Sequence, residues 1–388
     1  MDISRRKFLA RSAALGCSAA ASPIATPFVF AQAPGEARLV VIILRGGMDG
    51  LDVVRPYGDP DFARLRPSAP GDGIDLDGFF ALHPALAGLS GLWSSGELSF
   101  AHAASTPYRH KRSHFDGQDF LENGGAHADG RLTRAGDGWL NRLLPLMGGH
   151  TEMRALAVGR GKLRLLSGEA PHASWSPDAD LNLSDQGRLL LSIIYQNDPL
   201  FREAARKAVS LSDETDTKMR PAKAGRAAEM AAFAAERLNG LTRIAAFSLT
   251  GFDTHRAQSN TLPRALSELE TAILTLRQDL GRNWGKTAVL AMTEFGRTAR
   301  MNGTSGTDHG TGGLMMLAGG AIAGGRVMGR WPGLGDSDLF EGRDLMPTDD
   351  VRRYAAWAMH GLFGVERSQL DRTVFPGLDL GDNPGIIA

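Results

Sequence analysis

Cysteine is almost missing from this chain of 388 residues: Cys17 is the only one. It lies in an N-terminal segment that reads as removable, so the expected mature protein has neither a disulfide nor a thiolate metal site. Net charge is missing too, with 43 basic against 43 acidic residues. That balance gives no bulk electrostatic case for binding nucleic acid. The one apolar stretch near the N-terminus is short and Ser-rich, which argues against a permanent membrane span. There are no internal repeats and no low-complexity tract. A hydrophobic content of 43% and a charged content of 22% remain, and these are ordinary for a globular domain with ample core.

The N-terminus reads as an export signal. Arg5 and Arg6 stand directly before Lys7, Phe8 and Leu9, a small-residue apolar stretch follows, and Ala31-Gln32-Ala33 closes it. These are the n-region, h-region and cleavage site of a signal peptide, and the paired arginines indicate the twin-arginine (Tat) route. The expectation is cleavage after Ala33, the Tat translocase as a partner during export, and a periplasmic or secreted mature chain. A structural helix here would be broken by Pro23 and Pro27. The stretch "ALGC" only weakly matches a lipoprotein box, because Ala14 stands where Leu is usual.

Beyond the signal, apolar strand patterns alternate with helical ones. Leu39–Leu44 is a continuous apolar run stopped by Gly46-Gly47, as in a strand covered on both faces. Further strands are expected within 97–104, 243–255, 287–296 and 314–322. Helices are expected over 83–96, 221–240, 262–280 and 348–364, the last with Thr348 as N-cap. Leu266, Leu269, Ile273, Leu276 and Leu280 share one helical face. The alternation predicts a three-layer α/β fold, a mainly parallel central sheet flanked by helices. It forms one domain over 38–388, with weaker patterns at 125–225 as a cap or insertion.

Four polar stretches fall at or beyond strand ends, where open α/β sheets bind ligands. Asp49 follows the first strand in "RGGMDG" and is open to two readings, a turn residue or a metal ligand. In "TPYRHKRSHFDGQDFLENG", Ser113 begins a helix beside Arg109, Lys111 and Arg112. Ser113 is a helix cap or a hydroxyl activated at a positive helix end. Asp253 and His255 stand two apart at a strand end, so extended chain would turn both toward one ion. In "NGTSGTDHGTGG", Asp308 and His309 sit on glycine-rich backbone that gains little from packing and so calls for an organiser such as a metal. Glu294 and Arg297 come just before it. Carboxylates and imidazoles without thiolate suit one or two divalent ions, zinc or manganese, and a pair of such ions can clamp a phosphoryl or sulfuryl group.

Several stretches together resemble one known family: "LVVIILRGGMDGLDVVRPYGDPDFARLRP", "HAASTPYRHKRSHFDGQDFLENG", "GFDTH", "TEFGRTARMNGTSGTDHGTGG" and "GGRVMGRWPGL". They are similar to the domain-of-unknown-function family numbered 1501, exported bacterial proteins placed in the alkaline phosphatase-like superfamily. The resemblance implies that superfamily's fold and a metal site at the strand ends. It further implies Asp49, Asp308 and His309 around one ion, Asp253 and His255 near a second, and Ser113 as nucleophile. Thr106 and Ser105 are rival nucleophiles, and Arg109 and Arg112 would neutralise the transferred group. The superfamily spaces its distal Asp and His by four, whereas Asp253 and His255 are two apart. It also carries a later His, and here only His360 follows, in a packed helical pattern. Glu294 is therefore a candidate to complete the distal site. The expected function is an exported metal-dependent hydrolase of small-molecule phosphate or sulfate esters. The alternative is a non-catalytic binding or assembly protein, with a secreted protein partner.

Overall fold

Alternate residues of the strand Arg38–Leu44 (β2) face two different cores. Val40, Ile42 and Leu44 point into one apolar cluster and Leu39, Val41 and Ile43 into another. This is the period-2 pattern of a strand buried on both sides. The computed structural model describes residues 28–32, 35–67, 73–109, 111–125, 136–147, 163–170, 173–175 and 225–388.

The other strands of the main sheet are Phe28–Gln32 (β1), Leu98–Ser105 (β3), Ala173–Trp175 (β4), Thr242–Leu249 (β5), Thr287–Met292 (β6), Gly313–Ala318 (β7), Val327–Met328 (β8) and Asp349–Asp350 (β9). Their order is β8-β3-β7-β6-β2-β5-β1-β4, with β9 also pairing β3. β2 is parallel to both β5 and β6, while β7 and β1 run antiparallel to their neighbours. The sheet is thus mixed and mostly parallel, and its centre is the parallel trio β6-β2-β5. A small three-stranded sheet of Val54–Arg55, Ala81–Leu82 and Ile74–Asp75 lies apart from it.

Helices cover both faces. His114–Asn123 (α1) stands near the strand ends, as expected of a helix starting at Ser113. Arg226–Asn239 (α2) and Gln258–Leu280 (α3) pack on the first core. There Leu266, Leu269, Ile273, Leu276 and Leu280 are all buried, as their spacing predicts. Val351–Phe363 (α4) lies on the second core together with Trp139, Leu140, Leu163 and Leu165. The described parts of 125–225 therefore include core-forming residues, and most of that stretch lies outside the described residues. Among the described residues, no helix is long and apolar enough to cross a membrane.

Some expected boundaries shift for local reasons. α3 begins at Gln258, four residues before the expected start, because the Gln258 and Ala257 amides bond to the Ser305 and Thr304 carbonyls. α4 is capped by Asp350, whose carboxylate accepts from the Arg352 amide, and Thr348 instead donates to the Arg330 carbonyl. His360 is packed as expected, edge-on to Trp357 and bonded to the Val365 carbonyl. β1 falls within the expected signal segment and pairs with β5 and β4. Cleavage after Ala33 would remove that strand.

One buried histidine makes stability depend on pH. His102 bonds the Val54 carbonyl through Nε2, accepts from the Ala103 amide at Nδ1, and stacks on Phe80. Burial lowers its pKa from 6.5 to about 4. The unfolded chain therefore binds the proton first, and stability falls as the pH drops through that interval. The expected loss is about 3 kcal/mol, levelling off near pH 4. Urea unfolding at stepped pH should show this slope, and His102→Gln should flatten it.

Candidate metal centre

The parallel trio sends three loops to one end of the sheet. β2 leads to Gly46-Gly47, β5 to Asp253-Thr254-His255, and β6 to Glu294-Phe295. The glycine-rich loop 302–313 returns over them into β7. At that end His114, Asp253 and His309 converge, with one ligand atom from each lying within 4.8 Å of the others. His114 Nε2 is 3.4 Å from Asp253 Oδ2, and His309 Nε2 is 3.3 Å from Asp253 Oδ1.

Both imidazoles are held from behind. His114 Nδ1 lies 2.8 Å from Oε1 of Glu294, a fully buried carboxylate that also accepts from the Gly46 amide. His309 Nδ1 lies 2.6 Å from the Arg112 carbonyl. A carboxylate and a carbonyl can only accept here, so each Nδ1 carries a proton, and in the neutral imidazole each Nε2 turns a lone pair inward. Two lone pairs then face a carboxylate, and His114 Nε2 is buried without a hydrogen-bond partner. Three converging acceptors of this kind fit a cation. The backing carboxylate and carbonyl match the outer shell that fixes metal-binding imidazoles.

The Glu294 hydrogen bond pushes the His114 pKa up against the opposing effect of burial, whereas burial lowers that of His309. Burial pushes Asp253 and Glu294 up, but Arg297 beside the first and His114 beside the second outweigh it, and both sit below ordinary carboxylates. The carboxylates are thus kept ionised. An ion bound there would have to displace any proton held on His114 Nε2.

His255 borders the triad. Its Nε2 is 2.9 Å from His309 Nε2 and 3.1 Å from Asp253 Oδ1, and its Nδ1 is 3.1 Å from Asp308 Oδ1. Asp308 also accepts from Asn302 and is about half exposed. In this arrangement Asp308 orients His255 and is not one of the three converging groups.

Asp49, expected beside Asp308 and His309, is placed elsewhere. It is buried and salt-bridged through both oxygens to Arg66 at 2.7 and 3.1 Å, with Gln258 donating to Oδ2 and the Leu51 amide to Oδ1. Burial pushes its pKa up, but Arg66 and Gln258 hold it below the ordinary value. All its lone pairs face protein donors.

Ser113 occupies the N-cap position of α1, yet its side chain makes no capping bond, and its amide donates to the Tyr108 hydroxyl. The rivals Ser105 and Thr106 are buried. Arg109 is turned toward Ser105 Oγ and the Thr106 and Tyr108 carbonyls, and burial lowers its pKa to about 10. Arg112 is paired with Glu341 and Asp344. Arg343, not singled out in the sequence, donates to the His309 carbonyl and lies 3.4 Å from Asp344 Oδ1 while remaining two-fifths exposed.

Backbone contacts hold the glycine-rich loop against its neighbours. Gly310 donates to the Gly296 carbonyl, Gly296 to Thr311, Thr298 to Asp308 and Thr307 to Thr254. Its glycines allow the approach: a Cβ on Gly306 would lie 2.2 Å from the His255 carbonyl carbon, and one on Gly310 would lie 2.4 Å from that of Arg297.

Those contacts all fall within one recognisable stretch of chain. The chain belongs to the DUF1501 family. The family model, described as "Protein of unknown function (DUF1501)", matches residues 91–372, a span that takes in the triad, Glu294 and Arg297. No curated protein matches the chain.

His114 is the candidate ligand that the sequence reading passed over. It stood next to Ser113 in a loop crowded with His, Lys and Arg, where the helix start drew attention to the hydroxyl. A His on the first helical position, facing strand ends that already carry Asp and His, was the available signal.

Proposed function

We infer that this family member is a metal-dependent hydrolase of phosphate or sulfate esters, with His114, Asp253 and His309 holding a divalent ion. The observation that carries the reading is the convergence of two imidazole Nε2 atoms on an ionised carboxylate, each imidazole fixed from behind. The site lies at the C-terminal edge of parallel strands in a helix-flanked sheet, which supports an alkaline phosphatase-like fold. Zinc or manganese suits this donor set.

An ion there would supply Lewis acidity toward a phosphoryl or sulfuryl oxygen. The remaining work belongs to the chain. Glu294 and the Arg112 carbonyl keep both Nε2 lone pairs directed inward. Arg343 presents a part-exposed guanidinium beside His309, suited to an anionic ester oxygen. His255, between Asp308 and the triad, is placed to hold or pass a proton. Ser113, with its hydroxyl unspent on capping, is the candidate nucleophile. The Arg5-Arg6 pair and the Ala31-Gln32-Ala33 stretch support a periplasmic or extracellular place for this activity.

Aryl phosphate and aryl sulfate hydrolysis, measured with added zinc or manganese, tests the reading. Wild type should turn over one of them, and His114→Ala should lose at least a hundredfold. Ser113→Ala should lose activity while keeping bound metal and nearly all its stability, because no cap bond is removed. Metal-loaded wild type without turnover on either ester class would overturn the hydrolase reading.

A further inference from the structure

A buried amide lies beneath the candidate metal centre and touches both of its ligand loops. Gln258 accepts hydrogen bonds from the Thr254 and Thr307 hydroxyls at 2.8 and 2.7 Å. It donates to Asp49 Oδ2 at 2.6 Å and Asp52 Oδ2 at 3.0 Å. Its oxygen must face the hydroxyls and its nitrogen the carboxylates, since carboxylates only accept; all four bonding positions of the amide are filled. Thr254 lies between Asp253 and His255, and Thr307 immediately precedes Asp308 and His309. Gln258, Thr254, Thr307 and Asp49 are all buried.

Asp49 extends the connection. Its partner Arg66 also donates to the Thr298 and Ala299 carbonyls, and Thr298 holds Asp308 through both its amide and its hydroxyl. Asp253 and His309 come from loops more than 50 residues apart in sequence, and this network sets their register. We propose that Gln258, backed by the Asp49–Arg66 ion pair, is a positioning group for the metal centre: it fixes the Asp253–His255 loop against the Asp308–His309 loop and thereby sets ion affinity. This rests on the metal reading above and assigns Asp49 a supporting role in place of ligation.

The test uses two readouts on the full chain. One is the zinc Kd from chelator competition; the other is amide hydrogen exchange of 253–258 and 302–309 without metal. Gln258→Leu should raise the zinc Kd about tenfold to a hundredfold and speed exchange in both loops together. Thr254→Val, which removes one hydroxyl, should do the same to a smaller degree and covers the case in which Gln258→Leu fails to fold. Thr254→Ser keeps the hydroxyl and should return both readouts to near wild type, which a packing role for the methyl group would not. Folded Thr254→Val with unchanged Kd and unchanged exchange would overturn the proposal. Wild type that binds no zinc, yet shows coupled exchange changes in the variants, would remove the metal reading and overturn the claim on ion affinity, while showing that Gln258 does fix the two loops against each other.

Discussion

Replacing Arg297 with Met should destabilise the protein by about 4 kcal/mol, since several buried acceptors would each lose a charged donor. The Arg297 side chain is fully buried. Its Nε donates to the Gly47 carbonyl, Nη1 to Thr307, and Nη2 to Gly46, Phe252 and Asp253 Oδ1. One guanidinium thus joins the loop after β2, the loop after β5 and the glycine-rich loop. Met fills the volume and supplies no donor, leaving four carbonyls unpaired. Asp253 is about half exposed, so water compensates part of its loss and the cost falls mainly on the carbonyls. Arg297→Lys should recover little, because an ammonium lacks the planar fork that reaches acceptors on separate loops. Urea unfolding measures both variants, and a loss under 1 kcal/mol for Met would mean that the loops hold without this link. The Met variant should also lose metal, since Asp253 would no longer be fixed.

Much of this was legible in the chain because it follows local periodicity. The alternation of Leu39–Leu44 between two cores and the stripe from Leu266 to Leu280 each follow from one short segment. Asp253 was legible as a candidate because it stands two residues from His255 at a strand end, and His309 because it stands beside Asp308 on glycine-rich backbone. What could not be read was pairing at long range. Asp49 and Asp253 both follow β-strands, and only the tertiary structure shows that Arg66 occupies one while Arg297 leaves half of the other open. His114 needed Glu294, 180 residues away, to stand as a candidate ligand rather than a surface imidazole. Arg109 and Arg112 looked available to an anion, and the fold gives them to carbonyls and to Glu341 and Asp344. The glycines of 302–313 are also what lets the loop backbone approach Arg297 and His255 closely, which no local pattern shows.

Loading the purified protein with zinc or manganese should raise its melting temperature by about 5 °C over the chelated form. An ion at a hundred times its Kd adds about 2.7 kcal/mol to the folded state, and a large domain gains roughly 2 °C per kcal/mol. His114→Ala, Asp253→Ala and His309→Ala should each abolish the shift, since each removes one of three converging donors. Asp308→Asn should keep most of it, because Asp308 acts on His255 and lies outside the triad. Glu294→Gln separates geometry from charge. The amide can still accept from His114 Nδ1, so the shift should shrink without vanishing, as the imidazole loses a partner that raises its basicity. The shift should also fade as the pH falls, because protons compete for the ligand nitrogens. A shift that survives His114→Ala, Asp253→Ala and His309→Ala alike would place the ion elsewhere and remove this centre from the account.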